Sequence, residues 1–178
     1  SLDRSELHKI SGDSLEHFKI GDRLKIKNEQ EIVTGLCNEG EDFIGLEDSD
    51  IWIDPKTNLM HLYFTIPIIK AKKDVHQAGH IKVHLGHAVG KDLDSLEMTT
   101  PVLLDNGKYR AKEVSIAPLN KKGFHFNLIE SKERSTGTSY SVVQVAITED
   151  MGKPWQYGEI AFHPKEHHIP WIAGHASP

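Results

Sequence analysis

The sequence predicts an all-β protein built from two four-stranded, propeller-like blades with partial flanking blades. Three observations lead there. Short β-branched and apolar stretches are separated by clusters of turn residues. No long stretch keeps a 3.6-residue periodicity, so helix content should be low. One four-strand pattern occurs twice at a spacing of about 60 residues, longer than the ~40–50 of blades with short loops. A β-sandwich of two similar halves is the alternative architecture.

Residues 1–41 read as an N-terminal segment forming a partial blade, with Phe18-Lys19-Ile20, Leu24-Lys25-Ile26 and Glu31-Ile32-Val33 as outer strands. The first full blade covers 42–106. It opens on Glu47-Asp48-Ser49-Asp50-Ile51-Trp52-Ile53-Asp54, turns at Pro55-Lys56-Thr57-Asn58 and returns through Met60-His61-Leu62-Tyr63-Phe64-Thr65. A third strand runs into Ala88-Val89-Gly90-Lys91-Asp92-Leu93, and a fourth covers 101–104. The second full blade, 107–165, repeats this order. Lys112-Glu113-Val114-Ser115-Ile116-Ala117 is followed by an Asn120-Lys121-Lys122-Gly123 turn and Phe124-His125-Phe126-Asn127-Leu128-Ile129. Its third strand ends in Ala146-Ile147-Thr148-Glu149-Asp150-Met151, and its fourth covers 157–162. This alignment sets His61 against His125. The extra length falls in loops at 70–79 and 132–138. Residues 166–178 open a further blade. Rings of this type contain 4–8 blades, so the chain reads as part of a longer propeller or as a half that associates with a second copy.

Composition narrows the function. Lys and Arg number 21 against 26 Asp and Glu, a net charge of −5, which leaves no basic footprint for nucleic acid. No apolar run reaches the ~18 residues of a membrane span. A single cysteine, Cys37, excludes an internal disulfide framework and a cysteine-rich metal knuckle, and its surroundings match no nucleophile motif. The chain opens Ser-Leu-Asp-Arg, without an initiator Met or a signal-peptide core, so this end reads as processed or trimmed. Cytoplasmic and secreted locations both stay open.

Twelve histidines raise the prior on a site. His76, His80, His84 and His87 would form a metal-binding face on a helix. Val83, Leu85 and the flanking glycines argue for a strand instead, on which His80 and His84 share a face and His87 takes the other. Asp54 beside Pro55 reads as turn chemistry. Asp92 and Asp150, which recur in the repeat, read as turn anchors that bond the backbone. Trp155 reads as a packing residue, while Trp171 is the better sugar platform.

The carboxylates carry the chemistry. Residues that open successive innermost strands of a propeller converge on one mouth of its channel. Asp48, with Glu47 and Asp50 beside it, and Glu113 hold those equivalent places. Two carboxylates across a pocket suit cleavage of a glycosidic bond, one protonating the leaving oxygen and one ionised. Like charges brought together also separate their proton affinities.

Gly45-Leu46-Glu47-Asp48, then Leu62-Tyr63-Phe64-Thr65, then Ala88-Val89-Gly90-Lys91-Asp92-Leu93 resembles the five-bladed β-propeller glycosidases of the arabinanase and xylosidase, invertase and levansucrase, and mannosyl-phosphorylase types. The likeness covers roughly residues 42–178. It implies Glu113 as proton donor and Asp48, or else Asp50, as supporting carboxylate. Glu47, Trp171, His175 and Arg110 would bind substrate. The implied partner is a carbohydrate, with no cofactor required; a divalent cation in the channel, held by His175, is compatible. The family's Pro after the Asp is Ser49 here, its first-blade Asp has no counterpart, and Arg110 alone is too few cations for the arginine-rich phosphate site of the phosphorylase type. A non-catalytic carbohydrate-binding or interaction propeller is the alternative function.

Overall fold

A single strand divides the core in two. Strand β5 (Met60–Lys70) is buried almost end to end, because its side chains point alternately into two separate apolar clusters. Leu62, Phe64 and Ile66 enter one, and Tyr63 enters the other. Burying each such side chain contributes ~1.5–3 kcal/mol. The computed structural model describes residues 4–14, 16–70, 80–135 and 138–166.

Two antiparallel sheets contain most of the strands. In the first, β3 (Glu41–Phe43) and β4 (Glu47–Ile53) lie end to end along one edge of β5. Strand β6 (His80–Gly90) pairs with its other edge, and β7 (Glu97–Met98) follows. In the second, β8 (Ala111–Ser115), β9 (His125–Ser135), β10 (Thr138–Thr148) and β11 (Gln156–Phe162) form a meander in chain order. Strand β8 packs across β4, β5 and β6. The sheets are curled and include a half-barrel. Tyr63, Leu85 and Val102 of the first sheet meet Ala111, Val114, Ile129 and Ala146 of the second.

The duplicated pattern holds down to the register. Glu47 faces Thr65, and Lys112 faces Glu130; after one inserted residue, Asp50 faces Tyr63, and Ser115 faces Leu128. Met60 pairs with Gly90 as His125 pairs with Thr148. His125 therefore corresponds to Met60, and the expected match with His61 is off by one residue. A shared histidine drew that alignment, but in a strand one residue reverses the face. Asp92 accepts the Asp94 N–H at 2.9 Å and Asp150 accepts the Gly152 N–H at 3.0 Å, so both anchor the same turn as expected.

Three other expectations change. The N-terminal segment does not supply a set of outer strands. It forms a separate hairpin of β1 (His8–Gly12) and β2 (Phe18–Arg23), followed by helix α1 (Glu29–Leu36), which takes in Glu31, Ile32 and Val33. Ile32, Val33 and Leu36 share a face that packs on the core cluster of Leu62 and Phe64. Glu29 and Glu31 in the first turn complement the helix dipole. Leu24 and Ile26 are buried in the same cluster without belonging to a strand, and the Leu24 N–H donates to the Leu7 carbonyl. Within the expected loop at 132–138, residues 132–135 continue β9 and Thr138 begins β10, and Ser135 pairs with Thr138. The first sheet's fourth strand starts earlier than expected, at Glu97, and resumes only as a bridge between Leu85 and Leu103. Pro101, which has no N–H to donate, lies in the break.

Among the described residues no helix is long and apolar enough to cross a membrane. Residues 167–178, and with them Trp171 and His175, lie outside the described residues, as do 71–79 with His76.

Candidate functional site

Strands β4 and β8, which open the repeated four-strand unit, are interrupted at the same place. Asp48 and Glu113 are the inserted residues, and both take a positive φ, 48° and 41°. That conformation costs an L-residue with a Cβ roughly 1–2 kcal/mol. A bulge re-aims its side chain relative to the strand. Here both carboxylates turn to one ammonium: Lys112 Nζ lies 3.3 Å from Asp48 Oδ2 and 3.5 Å from Glu113 Oε1. Two contacts to a single atom limit how far apart those oxygens stand. The limit admits both the ~5–5.5 Å spacing of retaining glycosidases and the lower end of the ~6.5–9.5 Å spacing of inverting ones. The Glu113 N–H donates to Thr65 Oγ1 at 3.3 Å, which fixes the second bulge against the middle of β5.

Gly45 allows the approach of the N-terminal segment. Its φ is 114°, and a Cβ there would collide with the Ser5 carbonyl oxygen. Ser5 in turn donates from its hydroxyl to Glu47 Oε1 at 2.8 Å.

A third carboxylate completes the group. Glu130 is 3% exposed, with an oxygen 4.0 Å from Lys112 Nζ and the other accepting the Ser141 hydroxyl at 3.2 Å. Burial alone would push the Lys112 ammonium down; Asp48, Glu130 and Glu113 together outweigh it and hold it above its ordinary value. Arg110 is half-buried, and burial lowers its guanidinium while the charge of Glu130 works the other way.

The expected site residues divide accordingly. Asp48 and Glu113 are brought together. Asp50 accepts the N–H of its neighbour Ile51 and faces Tyr63 across the strand pair, because the bulge breaks the alternation that would have aligned it with Asp48. Glu47 is engaged with Ser5, and Arg110 lies near Glu130. Sequence reasoning passed over Lys112 as a binding group and missed Glu130 altogether. With the register corrected by one, Glu130 occupies the place of Thr65 directly opposite the strand opening, a signal the misaligned histidines concealed.

Several other readings stand as expected. Asp54 caps its own turn, accepting the Lys56 N–H and the Thr57 hydroxyl. Trp155 is buried in the core between the sheets. Cys37 is a free thiol that burial, Glu41 and Asp42 push up, away from a reactive thiolate. His84 and His87 take opposite faces of β6: His84 accepts the Asp105 N–H, and His87 bonds His61. The cation site expected at His175 lies outside the described residues, among which no group of three or more His, Cys, Asp or Glu could hold a metal ion.

A scan against protein-family models finds no match to the chain, and a search of curated proteins finds none either.

Proposed function

We propose that the chain acts on glycosidic bonds, with its two sheets as neighbouring blades of a five-bladed β-propeller and its site at the mouth where Asp48 and Glu113 converge. One observation carries the reading: two strained bulge residues, equivalent in successive sheets, both direct carboxylates at the same point. Strain of this kind persists where the surrounding structure enforces it and clusters at functional sites. Two sheets are fewer than a ring of 4–8 needs, so the reading implies further blades from additional chain or from a second copy.

In the reaction, the bond between the anomeric carbon and the leaving oxygen breaks. Glu113 donates a proton to that oxygen, and the ionised Asp48 stabilises the cationic sugar until water adds to the anomeric carbon and gives up a proton to the Glu113 carboxylate, restoring the acid. Lys112 lies 3.5 Å from Glu113, and a substrate hydroxyl is a suitable new partner for its ammonium. Glu130 holds Lys112 from the buried side, and Arg110 stands ready for a polar substituent. The chemistry requires no cofactor.

The position of Lys112 also favours a second reading, a non-catalytic carbohydrate-binding module in which ionised carboxylates and an ammonium only hydrogen-bond sugar hydroxyls. A panel of nitrophenyl glycosides, assayed with calorimetric binding of the corresponding sugars, separates the two. Turnover that Glu113→Gln abolishes while sugar binding persists supports the enzyme. Binding without turnover supports the module. Neither turnover nor binding rejects both.

A further inference from the structure

The other end of the same strands holds a hollow of about 430 Å³, enclosed by residues 54–56 after β4, Pro118 and Leu119 after β8, and 149–151 after β10. It lies roughly 15–20 Å from Asp48, about the length of β4 at ~3.3 Å per residue. Trp52 lines it, with the rings of His61 and His125 edge-on at centroid separations of 5.1 and 5.5 Å. Both histidines are more than nine-tenths buried, at 8% and 5% exposure.

The hydrogen bonds behind them admit an arrangement in which both rings donate from Nδ1. In it Thr99 donates its hydroxyl proton to the Thr100 carbonyl at 3.0 Å and accepts from His87 Nδ1 at 2.8 Å. His87 Nε2 is then an acceptor, and His61 Nδ1 donates to it at 2.9 Å. His125 Nδ1 donates to the Ala117 carbonyl at 2.7 Å. A neutral imidazole that donates from Nδ1 carries a lone pair on Nε2. Among the described residues neither Nε2 has a hydrogen-bond partner, and neither is sealed away from the hollow that its ring lines.

The surroundings select the ligand. Glu149 and Asp150 add acceptors, while Lys56 and Lys153, the latter 3.2 Å from Asp150, offset most of the negative charge. Leu119 and Trp52 add apolar surface. A ligand that donates several hydrogen bonds, presents an apolar face and carries no charge satisfies all of these. We propose that this hollow is a second carbohydrate-binding site, in which Nε2 of His61 and of His125 accept sugar hydroxyls and Trp52 and Leu119 cover the C–H face. It does not depend on catalysis at Glu113.

Long-range proton–nitrogen NMR of the imidazoles in the full chain tests this with the methyl glycosides of glucose, galactose, mannose and xylose. The expected result is a saturable shift of both Nε2 resonances with at least one of them. Leu119→Asp, on the exposed rim, should weaken binding at least tenfold, and Trp52→Phe should weaken it too, whereas Glu113→Gln should leave it unchanged. The proposal falls if none of the four glycosides shifts these nitrogens. It also falls if ethylammonium chloride or zinc chloride shifts them and the sugars do not, or if Leu119→Asp binds as well as the parent. Because the readout is at His61 and His125, loss of turnover at Glu113 and loss of binding here are distinguishable.

Discussion

Asp48 and Glu113 occupy the same inserted position in successive sheets, and Lys112 Nζ bridges them at 3.3 and 3.5 Å. Both have a left-handed backbone that glycine would adopt without strain. Stability and function should therefore pull apart at these two positions.

Glu113→Gly should leave stability unchanged or raise it by up to about 2 kcal/mol. Relief of ~1–2 kcal/mol of backbone strain is offset by loss of a partly exposed ion pair worth ~0–1 kcal/mol. Glu113→Val, β-branched in a left-handed conformation, should lower it by at least about 1 kcal/mol. Urea denaturation of the two variants measures the difference; equal stabilities would mean that the bulge is not left-handed in solution.

Gly45→Ala should destabilise by about 2–3 kcal/mol, because it combines an unfavourable φ with a clash against the Ser5 carbonyl. Gly107→Ala shares a positive φ but meets nothing within 4 Å, so it should cost only about 1 kcal/mol. Similar losses at the two positions would place the N-terminal segment away from Gly45.

His87 gives the fold a pH dependence of definite sign. Burial, reinforced by the charge of His61, pushes its imidazole from 6.5 down to about 3. Between those values the unfolded chain binds a proton that the folded one does not. Stability should therefore be intact above about pH 6.5 and fall as pH drops toward about 3, by at most ~1.4 kcal/mol per pH unit from this group. His87→Gln should flatten thermal midpoints across that window. A parent profile with no slope there would show that His87 is not held neutral.

Arg134→Met should cost roughly 3–5 kcal/mol. Arg134 holds both oxygens of the buried Asp105, at 2.8 and 2.9 Å. Burial alone would raise that carboxyl, but Arg134 with the N–H groups of Gly107 and Val83 outweighs it and keeps it below the ordinary carboxylate value. Its contribution is present above the unfolded value and lost as pH falls through the folded one. The variant should accordingly unfold at a higher pH on acid titration, and an unchanged acid midpoint would count against the pairing.

Local sequence patterns were enough for the all-β class, the twofold repetition of a four-strand meander, the turns anchored by Asp92 and Asp150, and the equivalence of Asp48 with Glu113. These are legible because strand alternation and turn chemistry are local and recur at matching positions. It misread 29–36 as strand, since Ile32 and Val33 favour β-structure locally and only the core under α1 selects the helix. Long-range contacts set the rest: the one-residue register that sets Glu130 opposite Lys112, the positive φ of the two bulges, and the hydrogen-bonded chain from Thr99 to His61. Each depends on what faces a residue from a distant part of the chain, and in a strand one position of register changes that partner and reverses the face.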